Sequence, residues 1–269
     1  MRSSRSGCRA SCRVILAAMV AVSAGTVLAD PIVHYKLDGD LVNSGTGGSS
    51  YDADFVDTDD DDTREYKYVT GACCATGQGL SLAGNPQSTS TGGTYVNTNY
   101  VPGESGTIAL WYKPTTFYNY QSILDNNTTS SEDWEFWIYA DGIARFRTRG
   151  GNVSYDLDNL GGANQWYHLA LTWDRQDADS TKADIQLYVD GELRQSNTST
   201  WVDPNNVFLA GGHIGNNYGR GVWDDVRMYD YVLSGAEISA LVIPEPSALM
   251  LLAFVALGCA FRRRRRGAN

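Results

Sequence analysis

Short runs in which apolar and polar residues alternate recur along the middle of the chain. The clearest are Ile32 to Leu37, Thr107 to Lys113, Trp134 to Tyr139, Ile143 to Thr148, Trp166 to Trp173, Ile185 to Val189 and Gly221 to Tyr229. They are rich in β-branched and aromatic residues, and Gly, Asn and Asp separate them. This pattern predicts strands in an all-β sandwich or jelly roll. Asp141-Gly142 and Asp190-Gly191 each sit between two such runs. Asp-Gly tolerates the positive φ of tight turns, so each pair predicts a hairpin. One helix is expected: Ser234 with Glu237 three residues on is a capping box for a short helix reaching about Leu241. Asn43 to Ser50, rich in Gly and Ser, and Asp57 to Asp62, with five acids in six positions, are expected to be loops.

The two ends follow different patterns. Arg2, Arg5, Arg9 and Arg13 precede an apolar run from Val14 to Val22, and Val27-Leu28-Ala29 follows. That order predicts a secretory signal over residues 1–29, cut after Ala29. At the other end Pro244-Glu245-Pro246 leads into a nearly unbroken apolar stretch, Ser247 to Phe261, and then Arg262, Arg263, Arg264, Arg265 and Arg266. A helix there is expected to enter the inner membrane with its arginines kept in the cytoplasm. Residues 30–243 remain as one large β domain, flanked by a signal helix and a C-terminal transmembrane helix.

The charge balance shifts once the ends are set aside. The chain has 21 Lys and Arg against 31 Asp and Glu, a formal net charge of −10. Nine of the basic residues lie in the two ends, whereas all the acids but Glu245 lie between them. So acidic a domain is a poor partner for nucleic acid or anionic lipid and suits divalent cations or neutral glycans. Within the domain only Cys73 and Cys74 remain. Adjacent cysteines cannot staple distant segments, and a vicinal disulfide, an interchain bridge and buried thiols all stay open.

The tail's order, Pro-Glu-Pro then apolar helix then arginine cluster, resembles the PEP-CTERM sorting signal of Gram-negative bacteria. That resemblance implies an exosortase-type protease as a processing partner, with delivery to the cell envelope, the outer surface or an extracellular matrix. Within the domain, several segments in order resemble the LamG-like, concanavalin A-like jelly roll. They are His34 to Asp40, Gly77 to Gly84, Thr107 to Pro114, Gln165 to Trp173, Leu187 to Gly191, and Trp223 to Asp230 leading to Leu233 to Ile238. The resemblance implies two antiparallel sheets packed face to face, with Leu110, Trp111, Leu171 and Trp173 in the core.

It also implies a calcium site where the end of the first strand meets the start of the last. The matching residues are Asp38, Asp40 and Asn43 with Asp224 and Asp225. Calcium takes six to eight oxygen ligands, which two such clusters could supply. The other reading of the same residues is an Asp38-Gly39 turn and an ordinary Asp225–Arg227 pair. Candidate glycan-binding residues are loop aromatics beside amides and carboxylates: Tyr118 and Tyr120 in Phe117 to Gln121, Trp201 in Trp201 to Asn206, and Tyr218 in Asn216 to Arg220. Catalysis is not expected. Glu132-Asp133-Trp134-Glu135 lacks the spacing of a glycosidase pair on one strand face. His34, His168 and His213 stand outside any nucleophile or metal motif. The expectation is an exported, non-catalytic module that binds polysaccharide or a surface protein and is stabilised by calcium. A structural matrix component without a specific ligand and a glycoside hydrolase of the same fold are the alternatives.

Overall fold

The computed structural model describes residues 30–57, 66–72, 77–82, 94–118, 120–126, 134–211 and 219–242. The signal helix and the whole sorting tail, Ala29, Pro244, Glu245, Pro246 and Arg262 to Arg266 included, lie outside these residues. So do Cys73-Cys74 and most of the Asp57 to Asp62 run. Among the described residues no helix is long and apolar enough to cross a membrane.

Among the described residues fifteen strands follow in chain order. They are β1 (Val33–Tyr35), β2 (Asp54–Asp57), β3 (Tyr66–Thr70), β4 (Gln78–Leu82), β5 (Thr94–Asn97), β6 (Ser105–Pro114), β7 (Gln121–Asp125) and β8 (Glu135–Ile138). Then come β9 (Ile143–Thr148), β10 (Gly151–Asp156), β11 (Tyr167–Arg175), β12 (Lys182–Val189), β13 (Glu192–Thr200), β14 (Phe208–Leu209) and β15 (Gly221–Tyr229), closed by the helix α1 (Gly235–Val242). One sheet runs β13-β12-β11-β6-β15-β4-β3, with β1 on the other half of β15's edge. The second runs β10-β9-β8-β7-β14-β5-β2. Every pairing is antiparallel. The all-β, two-sheet sandwich expected from the pattern is the fold.

Alternation decides which side chains fill it. Leu110, Tyr112, Leu169, Leu171, Trp173, Phe136, Ile138, Ala144 and Phe146 point inward and form one core between the sheets. Trp111 is buried too, but on the opposite face of β6, with its ring edge-on to His168 at 5.3 Å. The core expectation is therefore right for Leu110, Leu171 and Trp173, while Trp111 lies on the outer side of the sheet, which elsewhere carries a small apolar cover. That cover exists because Ala109 and Ala170 face each other across β6 and β11, leaving a shallow place on the sheet. Leu233, Ile238 and Leu241 of the α1 segment fill it against Tyr188 and Tyr229.

The capping box holds α1 in place. Ser234 donates from N and Oγ to Glu237 Oε2, each at 2.7 Å, and Glu237 N donates to Ser234 Oγ at 3.3 Å. Replacing Ser234 with Ala is expected to cost about 1 kcal/mol in thermal or urea unfolding, with no change in the sheets' circular dichroism.

Both predicted hairpins form, by different turns. At Asp190-Gly191 both residues have positive φ, 53° and 78°, the two-residue turn suited to right-twisted strands. At Asp141-Gly142 only Gly142 has positive φ, 78°, and its N–H donates to Tyr139 O at 3.0 Å. The strands absent from the sequence expectation, β2, β3, β4, β5, β7, β10 and β14, are short, and several alternate weakly because both of their faces are partly polar.

Candidate functional site

Two places gather polar side chains. The first lies where β15 meets the β3–β4 hairpin. Asp224 is buried, and its Oδ2 accepts from Ala72 N at 2.7 Å. Asp38 Oδ1 accepts from Gln78 N at 2.7 Å. The two carboxylates brace the two arms of one hairpin, and Gly77 lacks a side chain because a Cβ there would run into the Asp38 carboxyl. Burial raises the Asp224 carboxyl to about 6, countered by the bond from Ala72, with the negative charges of Asp225 and Asp38 adding to the rise.

The other three residues of the expected calcium set are engaged elsewhere. Asn43 Oδ1 accepts from His34 N and Gly45 N, and its Nδ2 donates to Ile32 O and Gly48 O. Asp40 Oδ1 accepts from Val42 N within its own turn. Asp225, at φ 49° in a bulge of β15, accepts from His34 Nε2 at 2.6 Å and pairs with Arg227 at 3.0 Å. Burial pushes the Asp225 carboxyl up, but the His34 bond and the Arg227 charge outweigh it and hold it below the usual range. The five residues do not form one ligand shell. Among the described residues no group of three or more His, Cys, Asp or Glu could hold a metal ion.

The second place is the outward face of the second sheet. Phe136, Ile138, Ala144 and Phe146 point inward, so their neighbours along β8 and β9 point out. Register then sets Ser122, Trp137, Arg145 and Ser154 in one row across β7, β8, β9 and β10. Asp125, Glu135, Arg147 and Asn152 form the next. Arg147 Nη2 meets Glu135 Oε2 at 2.6 Å and Nε meets it at 2.9 Å. Tyr120, 43% exposed, stands edge-on to Trp137 at 5.5 Å and to Tyr139 at 5.3 Å, and the Arg145 guanidinium lies over Tyr139 at 4.5 Å. Tyr118, 47% exposed, carries the Arg220 guanidinium 4.5 Å over its ring.

A buried node fixes this loop. Gln121 Nε2 donates to Tyr112 Oη at 2.7 Å and also to Arg220 O, to which Tyr112 Oη donates at 2.7 Å. Phe117 packs on Gly142, so the loop abuts the β8–β9 turn. Tyr120 itself has φ 61°, a conformation that costs a bulky residue on the order of 1 kcal/mol and persists where the surroundings hold it.

Trp201 stands apart from this face. Its ring packs against the core and edge-on to Trp134 at 6.1 Å, and its Nε1 donates to Asp203 Oδ1 at 2.8 Å. Tyr218 lies outside the described residues, as does Glu132-Asp133. His168 is a buried structural histidine: burial lowers it to about 4, which keeps it neutral near pH 7.

The family model described as the concanavalin A-like lectin/glucanases superfamily matches residues 88–239. The chain belongs to that superfamily. A second model, the PEP-CTERM protein-sorting motif, matches residues 242–266 and marks this superfamily member as an exported, surface-sorted protein that an exosortase processes. No curated protein matches the chain. Among solved structures, domain 4 of an extracellular arabinanase from Geobacillus stearothermophilus, in complex with arabinotriose, is 18% identical with a TM-score of 0.56. It shares 80% of this chain and 98% of that one. The botulinum neurotoxin type G receptor-binding domain is 13% identical with a TM-score of 0.54, over 80% of this chain and 51% of that one. The serotype D ligand-binding domain in complex with N-acetylneuraminic acid is 19% identical with a TM-score of 0.54, over 79% and 50%. The chain thus spans about half the length of the two toxin structures. These likenesses fix the concanavalin A-like sandwich.

Within this superfamily member, loop composition pointed to Tyr118 and Tyr120 but not to Trp137, Arg145, Glu135 or Asp125. The signal was partial. The apolar alternation puts Trp137 and Glu135 on one face with Arg145 and Arg147, but a two-residue Asp141-Gly142 turn would set Trp137 opposite Phe146. The turn spans three residues, Ala140 to Gly142, and that register pairs Trp137 with Arg145 and Glu135 with Arg147.

Proposed function

We propose that the domain is a non-catalytic carbohydrate-binding module of an exported surface protein, and that it grips polysaccharide on the outward face of β7 to β10. The observation that carries this reading is the exposed Tyr120 ring against Trp137 and Tyr139, set beside the partly or fully exposed Arg145, Arg147, Asn152 and Ser154, with Ser122, Asp125 and Glu135 buried behind them. Sugar rings offer apolar faces to aromatics and hydroxyls to such donors and acceptors, and binding sites commonly join the two. The loop is pre-ordered by the Gln121–Tyr112 node, which limits the entropy lost on binding. The arabinotriose and N-acetylneuraminic acid complexes of two similarly folded proteins agree with a binding role for such a sandwich. Calcium enters this reading as an ion between Asp38 and Asp224, whose mutual repulsion a cation would relieve; it would brace the hairpin and take no part in sugar contact.

The test is binding of the purified chain to a panel of neutral and acidic polysaccharides. Tyr120→Ala is expected to weaken binding about ten-fold, or about 1.4 kcal/mol, with unfolding unchanged. Equal binding by the variant, or no binder in the panel, would sink the reading and favour a structural matrix component or a protein partner.

Hydrolysis is the second reading, favoured by one observation: Asp125 and Glu135 face each other across β7 and β8. Against it, both are buried and Glu135 is held at two points by Arg147, an arrangement that keeps a charge in place. Release of sugar that Glu135→Gln abolishes would restore it.

A further inference from the structure

We propose that the face built around Trp137 selects polysaccharides bearing carboxylate groups, with Arg145 as the residue that reads the charge. The inference rests on the binding role assigned to that face above. Its starting point is a charge anomaly. Thirty-one acids stand against 21 bases in the chain, so a surface guanidinium would be expected to have acid within reach. Arg147 has Glu135, Arg175 has Glu104, Arg194 has Glu192 and Arg227 has Asp225. Arg145 meets the Tyr139 ring instead, and its Nε is buried with no hydrogen-bond partner among the described residues.

Its surroundings explain what that leaves it able to do. Arg145 shares a row with Trp137 on one side and Ser154 on the other, and a column with Arg147. Trp137 is buried with its Nε1 likewise unpartnered among the described residues. Two donors in adjacent positions thus go unused inside the protein, both shielded from solvent, so a ligand meets the outer guanidinium nitrogens of Arg145 first, beside Tyr120 as a platform. A planar carboxylate suits a guanidinium, because two parallel N–H donors match its two oxygens, and such charge-assisted bonds are stronger than neutral ones. Partial removal from water strengthens the attraction further. A ligand with a carboxylate on the ring and apolar ring faces, a uronic-acid-type unit, would use the donors and the aromatics together. The rest of the acidic domain repels polyanions, so the preference has to come from this spot rather than from bulk charge.

The experiment uses the purified full chain and three polymers. They are polygalacturonate, the same polymer with its carboxyls reduced to alcohols, and dextran sulfate as a polyanion without carboxylates. Titration calorimetry is expected to give at least ten-fold tighter binding to polygalacturonate than to the reduced polymer, with the margin shrinking as NaCl rises. Arg145→Gln is expected to remove the margin while keeping the weaker binding to the reduced polymer, and Arg145→Lys to keep part of it. Arg175→Gln, which breaks the pair with Glu104, is expected to change nothing and controls for net charge. Equal affinity for polygalacturonate and its reduced form overturns the inference and leaves the binding role standing. A margin that survives Arg145→Gln, or tighter binding to dextran sulfate that ignores Arg145, overturns it as well. Failure to bind any of the three overturns the inference and the binding role together.

Discussion

Replacing Asn43 with Ala is expected to lower the stability of the domain by about 3–4 kcal/mol, the largest single effect foreseen here. Asn43 is buried and its side chain makes four bonds to main chain, two as acceptor and two as donor, at 2.8 to 3.2 Å. They tie the Gly/Ser-rich segment to β1 from both sides. Alanine would leave two N–H groups and the Gly48 carbonyl without their partner, each costing on the order of 1–3 kcal/mol unless water reaches it, while Ile32 O keeps its bond from Gly47 N. Relaxation at the partly exposed edge of the loop returns part of that, which sets the figure. Urea unfolding, in calcium and in chelator, checks it. The loss should be the same in both buffers. A loss of under 1 kcal/mol would contradict the account, and a loss confined to the calcium buffer would restore Asn43 as an ion ligand.

Asp224→Asn should do the opposite near neutral pH. The Asp224 carboxyl is raised to about 6, first by burial and then by its acidic neighbours, against about 3.9 in an unfolded chain. The folded state therefore holds this proton more tightly. The stabilisation is complete below the unfolded value and is lost as pH climbs from about 4 through about 6, a cost approaching 3 kcal/mol at neutral pH. Asparagine keeps the oxygen that Ala72 N needs and removes the charge. In chelator, the variant is expected to be about 1–3 kcal/mol more stable than the parent at pH 7.5 and equal to it at pH 4. Thermal melts across that range would show it. Calcium bound between Asp38 and Asp224 would add the opposite signature: it would raise the parent's melting temperature, and the variant would not respond. A variant destabilised in chelator at every pH would mean that the charge on Asp224 supports the fold.

Most of the fold could be read from the chain, for one physical reason. Strands buried on one face must alternate, and β9 does so from end to end, while β6, β8, β11 and β15, covered on both faces, show as apolar and aromatic runs. Two Asp-Gly pairs and a Ser-Glu box then place two of the turns and α1. What escaped was decided by distant neighbours. The strands β5 and β14 are short and receive their pairing from strands far away in sequence. Trp111 lies on a core strand but on its outer face, edge-on to His168, and nothing local marks that face as covered. At the Asp38–Asp224 cluster, sequence order brought the right segments together, yet the bulge at Asp225 turns that carboxylate toward His34 and Arg227. Asn43, a ligand type by chemistry, is consumed by the backbone of its own loop. The proposed binding face was half legible. Tyr118 and Tyr120 are exposed loop aromatics, whereas Trp137 and Arg145 acquire meaning only when the hairpin register sets them side by side.

The central claim is that polysaccharide docks on the outward face of β7 to β10, and hydrogen–deuterium exchange of the full chain with and without a bound polysaccharide tests it most directly. The account predicts new protection in residues 115–126 and 134–156, centred on Tyr120, Trp137 and Arg145, with the β3–β4 hairpin beside Asp38 and Asp224 unchanged. Protection at that hairpin with none on β8 and β9, or no change anywhere on saturation, would contradict it.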